Sequence, residues 1–164
     1  MAKLYMIMGA PGSGKSTFIK NVLSSRAFVV SRDVIRFGMV KEGEPYFSKE
    51  KDVYKEYIRQ INENLNGGWD TVADATHLNR ASRNKLLNCI QVPNVEIHLI
   101  WFKTSLETCL QRNENRAGTR AYVPSSVITK MYNSIEKPEF EEGIDVIYIY
   151  EENKTPIVIR KGDY

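Results

Sequence analysis

The sequence predicts an α/β fold in which helices cover both faces of a central, mostly parallel sheet of five strands. Three observations carry that expectation. Short apolar runs alternate with stretches of helical periodicity along the 164 residues, the pattern of right-handed βαβ units. The run from Val95 to Phe102 is apolar almost throughout, as a strand covered on both faces requires. Finally, Gly9-Ala10-Pro11-Gly12-Ser13-Gly14-Lys15-Ser16-Thr17 satisfies G-x-x-x-x-G-K-[ST] and stands between an apolar run and a helical pattern, the context that a phosphate-cradling P-loop needs.

Leu4 to Met8 supplies the strand before this loop, and Phe18, Ile19, Val22 and Leu23 fall at helical spacing behind it. Gly9, Gly12 and Gly14 free the backbone to turn successive N–H groups inward as an anion nest. The helix that starts near Lys15 adds its positive end. Lys15 can bridge the β- and γ-phosphates, and the Ser16 hydroxyl can ligate Mg²⁺. A bare glycine-rich turn is the competing reading; motif and context together favour an NTP site, with ATP and Mg²⁺ as cofactors. The architecture expected is therefore a three-layer P-loop kinase fold, a single domain over residues 1–164.

An apolar content of 42%, a charged content of 26% and a net charge of +3 suit a globular protein. They permit an anionic substrate without demanding nucleic acid. Cys89 and Cys109 lack metal or redox spacing and read as reduced, packed thiols. The apolar start is too short for a signal peptide or a membrane span and runs straight into the loop, so no membrane partner and a cytoplasmic location are expected.

Taken in order, Ala27 to Val30 reads as a short buried strand. A helix follows with Ser31 as cap and Asp33 in its first turn. Gly38 and Lys41 to Pro45 break it into a loop that could rim a substrate. An amphipathic helix opens near Ser48 and keeps Val53, Tyr54, Tyr57, Ile58, Ile61 and Leu65 on one face, with Asn66-Gly67-Gly68 as its stop. Trp69 to Ala73 is the third strand, and Arg80 to Ile90 the next helix. In the strand ending at Phe102, His98 reads as structural. Thr104 and Glu107 form a capping box opening the helix that carries Arg112 and Arg116. Pro124 opens another helix. Val146 to Tyr150 is the fifth strand, and Ile157 to Ile159 could pair beside it.

Ligands of such sheets bind at the carboxyl ends of the strands. Asp33 lies there, just past a strand. A phosphate acceptor needs no base, whereas a hydroxyl acceptor profits from a carboxylate that takes its proton. Arg36, three residues on, could anchor a substrate phosphate or carboxylate. A solvated aspartate–arginine pair is the alternative. Arg112, Arg116 and Arg120 recur at spacings of four; the first two can share a helix face and close over the nucleotide as a lid, roughly residues 112–124. The alternative there is a solvated basic helix end.

Four blocks resemble the phage-type polynucleotide 5′-hydroxyl kinases: Gly9 to Thr17, Ser31-Arg32-Asp33-Val34-Ile35-Arg36, Asp74-Ala75-Thr76-His77-Leu78-Asn79, and Arg112-Asn113 through Arg116, Gly118-Thr119 and Val123-Pro124. The resemblance implies that Asp33 is the general base and that Arg36 holds the acceptor's phosphate. Lys15 and Ser16 would serve ATP and Mg²⁺, with Arg112 and Arg116 in the lid. In the third block the family places its aspartate directly before the threonine, and an asparagine where His77 stands. Asp74 would therefore either orient Arg36 or support the magnesium waters, and Thr76 and His77 would border the substrate. No phosphatase-like part is present, so removal of a 3′-phosphate is not expected.

The function expected is ATP-dependent phosphoryl transfer to the 5′-hydroxyl of a DNA or RNA end, with Lys15, Arg112 and Arg116 stabilising the transferred group. Two alternatives stand beside it. One is a kinase for a small-metabolite or tRNA-borne hydroxyl; the other is a nucleotide-binding regulatory module without kinase activity.

Overall fold

The computed structural model describes residues 1–163. Six strands form one sheet in the order β2-β3-β1-β4-β5-β6. They are β1 (Lys3–Met8), β2 (Phe28–Ser31), β3 (Thr71–Asp74), β4 (Glu96–Phe102), β5 (Val146–Tyr150) and β6 (Ile157–Arg160). Five run parallel, and β6 closes the edge antiparallel to β5. This strand is the sixth beyond the five expected, and Ile157 to Arg160 form it. The helices are α1 (Lys15–Phe18), α2 (Arg32–Met39), α3 (Glu50–Asn66), α4 (Arg80–Asn88), α5 (Leu106–Glu114) and α6 (Ser125–Asn133).

β1 sits between β3 and β4, and its alternating side chains build the layers. Leu4, Met6 and Met8 pack with Tyr57, Ile61 and Leu65 of α3 and Leu86 of α4. Ile7 points the other way, onto Ile19 and Leu23. Those two lie in a π-helical turn, Ile19–Leu23, that continues α1. Arg83 is fully buried and ties α4 to the segment Phe140–Glu142 through the Glu142 carboxylate, 2.8 Å from its Nε. Among the described residues no helix is long and apolar enough to cross a membrane.

Several local expectations shift. β2 is a sheet edge rather than a buried strand, and Phe28 and Val29 are exposed. Val22 is exposed as well. α2 runs through Gly38 to Met39. The cap of α5 is Ser105, which accepts from Thr108 N at 3.2 Å; Thr104 turns instead to the P-loop. α5 ends at Glu114, so Arg116 lies beyond it and shares no helix face with Arg112.

Candidate active site

The loop leaving β1 passes into α1 through Gly12 and Gly14, with φ of +83° and +103°. At Gly12 a Cβ would stand 2.7 Å from the Cys109 carbonyl oxygen, so conformation and space both demand glycine there. The loop is pinned from behind. The Thr104 hydroxyl donates to the Ser13 carbonyl at 2.8 Å, Arg112 Nη1 to the Gly12 carbonyl at 3.1 Å, and Gly9 N to the Thr76 carbonyl at 3.0 Å.

Lys15 Nζ folds back onto the loop, donating to the carbonyls of Gly9 at 2.6 Å and Ala10 at 2.9 Å. Burial lowers its pKa to about 8; Asp74 and Asp33 oppose the shift and Arg116 adds to it. These four charges therefore act on one another across a single crevice. Ser13 Oγ and Arg116 Nε and Nη2 are buried with no hydrogen-bond partner among the described residues, an unfavourable state for polar groups. A chain of phosphate oxygens along the loop would supply those partners. The loop, Lys15, Arg112 and Arg116 thus fit a nucleotide's phosphates. Ser16 and Thr17 are exposed at the start of α1. Mg²⁺ is commonly held by one or two carboxylates together with phosphate oxygens and water, which Ser16 and Asp74 beside the loop can complete.

On the other side Ser31 caps α2, accepting from Val34 N at 3.2 Å. This fixes Asp33 in the first turn, exposed at the carboxyl end of β2. Its carboxylate accepts from Arg36 Nη1 and from the Tyr46 hydroxyl, the latter at 3.0 Å. Arg36 is buried. Its Nε and Nη2 both donate to the Glu50 carboxylate, and the rings of Tyr46 and Phe47 lie 4.7 and 5.4 Å from the guanidinium. Burial is the largest influence and opposes the Arg36 charge, but the Glu50 hydrogen bond together with the charges of Tyr46, Glu50 and Asp33 outweighs it and raises the pKa. The hydrogen bonds of Arg36 thus go to Asp33, Tyr46 and Glu50, and its side chain is buried among them.

Asp74 ends β3 opposite Ser31. Burial raises its pKa and the Lys15 charge opposes that. Glu50, not Asp74, orients Arg36. Thr76 contributes its carbonyl to the loop. His77 is buried, at a φ of +44°. Its Nδ1 donates to the Ile7 carbonyl at 2.6 Å, so Nε2 accepts from the Tyr57 hydroxyl at 3.3 Å. It locks the segment after β3 to β1 and α3 with both nitrogens occupied by protein. Arg120 lies over Phe37 of α2 at 4.0 Å, joining the segment after α5 to the Asp33 side.

The structure thus brings Lys15, Asp33, Asp74, Arg112 and Arg116 together and turns Arg36 and His77 inward. Sequence reasoning missed Glu50, Tyr46 and the contact of Thr104 with the loop. The acidic first turn of α3 was the one local signal for Glu50.

A sequence profile of an AAA domain, AAA_33, matches residues 4–138. The chain belongs to this AAA domain family. An L-seryl-tRNA(Sec) kinase of Methanococcus maripaludis is 29% identical over 82% of the chain and 53% of its own length. The AAA_33 chain therefore spans about half of that relative. It spans 15% of an Arabidopsis thaliana protein named transcription factor bHLH140, which is 26% identical over 87% of the chain. Among solved structures, one of the Pnkp1/Rnl/Hen1 RNA repair complex aligns with a TM-score of 0.71 at 24% identity, over 81% of this chain and 43% of that one. The fold is that of the small P-loop kinases.

Proposed function

We propose that this AAA_33 protein transfers the γ-phosphoryl group of ATP to the 5′-hydroxyl of a DNA or RNA end. The observation that carries this reading is the Asp33 carboxylate, exposed in the crevice that holds Lys15 and fixed by Arg36 and Tyr46. A positioned carboxylate has a task only if the acceptor brings a proton. Asp33 takes that proton as the hydroxyl oxygen bonds to phosphorus and the bond to the ADP oxygen breaks. Lys15, Arg112 and Arg116 stabilise charge on the transferred oxygens. Ser16 and Asp74 would hold Mg²⁺ together with the phosphates, and the ion would supply charge neutralisation for the transferred group. Residues 112–124 close as a lid, the 164 residues work as one domain, and the two free thiols suit the cytoplasm.

A second reading has one specific support: the 29% identical relative is named as a kinase of seryl-tRNA. The two are separated by offering labelled ATP with a 5′-hydroxyl oligonucleotide, a seryl-tRNA and a sugar acid in parallel. The first reading expects label on the oligonucleotide. Label on either of the others alone overturns it.

A further inference from the structure

A closed loop joins α5 to α6. Asn113, fully buried in the last turn of α5, donates from Nδ2 to the Val123 carbonyl at 2.6 Å and accepts on Oδ1 from Val123 N at 3.0 Å. One side chain thus clasps both ends of residues 114–122. Within them Thr119 donates from N and from Oγ1 to the Arg116 carbonyl, at 3.0 and 2.7 Å, and Gly118 takes a φ of +82°. Arg116 and Arg120 therefore ride on one compact unit, and a shift that carries one carries the other.

The two arginines make different contacts. The Arg116 charge acts on Lys15, on the donor side. Arg120 lies over the Phe37 ring at 4.0 Å, and no carboxylate stands within salt-bridge distance of it among the described residues. Phe37 is one turn beyond Asp33 on α2, so the two share a helix face. Its ring meets that of Tyr46 edge-on, with centroids 6.2 Å apart. The Tyr46 hydroxyl in turn donates to Asp33 at 3.0 Å and accepts from Arg36 Nη1 at 2.9 Å. Arg120, Phe37, Tyr46 and Asp33 thus form an unbroken run of contacts from the lid loop to the proposed base.

We infer that Arg120 and Phe37 form a latch that couples the lid to the base. While the latch is made, the loop stays over the donor crevice and Phe37 braces the Tyr46 ring whose hydroxyl holds Asp33. When it opens, lid and base loosen together. The inference rests on the proposed lid and base, and adds Arg120 and Phe37 to them as positioning residues. A cation resting on an exposed ring shifts an equilibrium by about two- to fivefold. That is enough to bias the loop toward closure and little enough for nucleotide exchange to open it.

Release of ADP carrying a fluorescent ribose label, followed by stopped flow with no acceptor present, reads the lid without turnover. Arg120→Ala should speed release by about two- to fivefold and leave the urea midpoint unchanged. Phe37→Leu should speed it by a similar factor, and the double variant no further than either alone, since both substitutions break one contact. Coupling is reciprocal, so Tyr46→Leu should also speed release, and should lose that effect in the Arg120→Ala background. Release that neither Arg120→Ala nor Phe37→Leu moves overturns the latch, as do effects that add in the double variant. Release unmoved by Tyr46→Leu overturns the link to the base. In transfer assays Arg120→Ala should lower kcat with the acceptor KM unchanged; a rise in that KM alone overturns the positioning role. Absence of transfer in the wild-type protein would instead strike the kinase reading, and the release measurements would still decide the latch.

Discussion

Arg36 grips the carboxylate of Asp33 with one side of its guanidinium while Glu50 of α3 grips the other. The proposed base is thus held by an arginine of its own helix, and that arginine is anchored by a residue of another helix. Asp33 on the first turn of α2 would otherwise rotate freely at the crevice mouth. Substituting Asp33→Asn removes the proton acceptor and should lower transfer by about 10²–10⁴-fold, with ATP binding intact by equilibrium dialysis.

Glu50→Gln leaves Asp33 in place but loosens its clamp. Misplacing a reacting group by about an ångström costs on the order of 10²-fold, so kcat should fall by about ten- to a hundredfold while KM for ATP stays constant. Steady-state kinetics checks this. Wild-type kcat in Glu50→Gln would show that Arg36 needs no anchor.

Arg116 acts on Lys15, and its Nε and Nη2 are buried and unpaired among the described residues. A structural arginine would pair these donors within the protein, and no such partner exists among the described residues. Arg116→Ala should leave the urea midpoint unchanged or higher, yet lower kcat by about a hundredfold or more, as loss of a transition-state donor does. A fall in stability matched by little change in kcat would assign it to the fold.

The donor half of the site was legible in the sequence because its chemistry is local. Gly9 to Thr17 carries loop, lysine and hydroxyl in nine consecutive residues, and the strand before it and helix behind it are continuous with it. The acceptor half was legible only as Asp33. Its partners Glu50 and Tyr46 arrive from a helix and a loop more than ten residues away, and no periodicity marks them. Arg36 looked free because its spacing from Asp33 is visible and its burial is not. Thr104 and Ser105 are adjacent hydroxyls with equal claim to cap α5; the contact of Thr104 with the Ser13 carbonyl decided between them. Phe28 and Val29 are apolar enough for a central strand, and only the sheet order shows that they form an edge.

Lys15 links nucleotide binding to pH. Its folded pKa is near 8 because burial disfavours the charge. Phosphates beside Nζ favour the charged form, so binding near pH 8.5 should take up a proton, whereas at pH 7 the amine is already charged. Calorimetry in buffers of different ionisation enthalpy reads this directly. Lys15→Met should abolish the uptake at pH 8.5. Identical uptake in the variant would place the titrating group elsewhere.

His77 makes the fold itself sensitive to acid. Burial lowers its pKa to about 4, against 6.5 for a free imidazole. Between those values the unfolded chain binds more protons than the folded one, so stability rises with pH across this window and is lost as pH falls through it. The full difference is worth about 3 kcal/mol, at ~1.4 kcal/mol per pH unit. Urea unfolding at pH 7, 6 and 5 should show a progressive fall in stability before the carboxylates titrate. His77→Asn keeps a side chain that tolerates the positive φ and should flatten the decline, whatever it does to stability at pH 7. His98 is also buried with a lowered pKa, opposed by Glu96, and accounts for the slope that remains. An unchanged slope in His77→Asn would mean that burial of the His77 ring is not what makes the fold sensitive to acid.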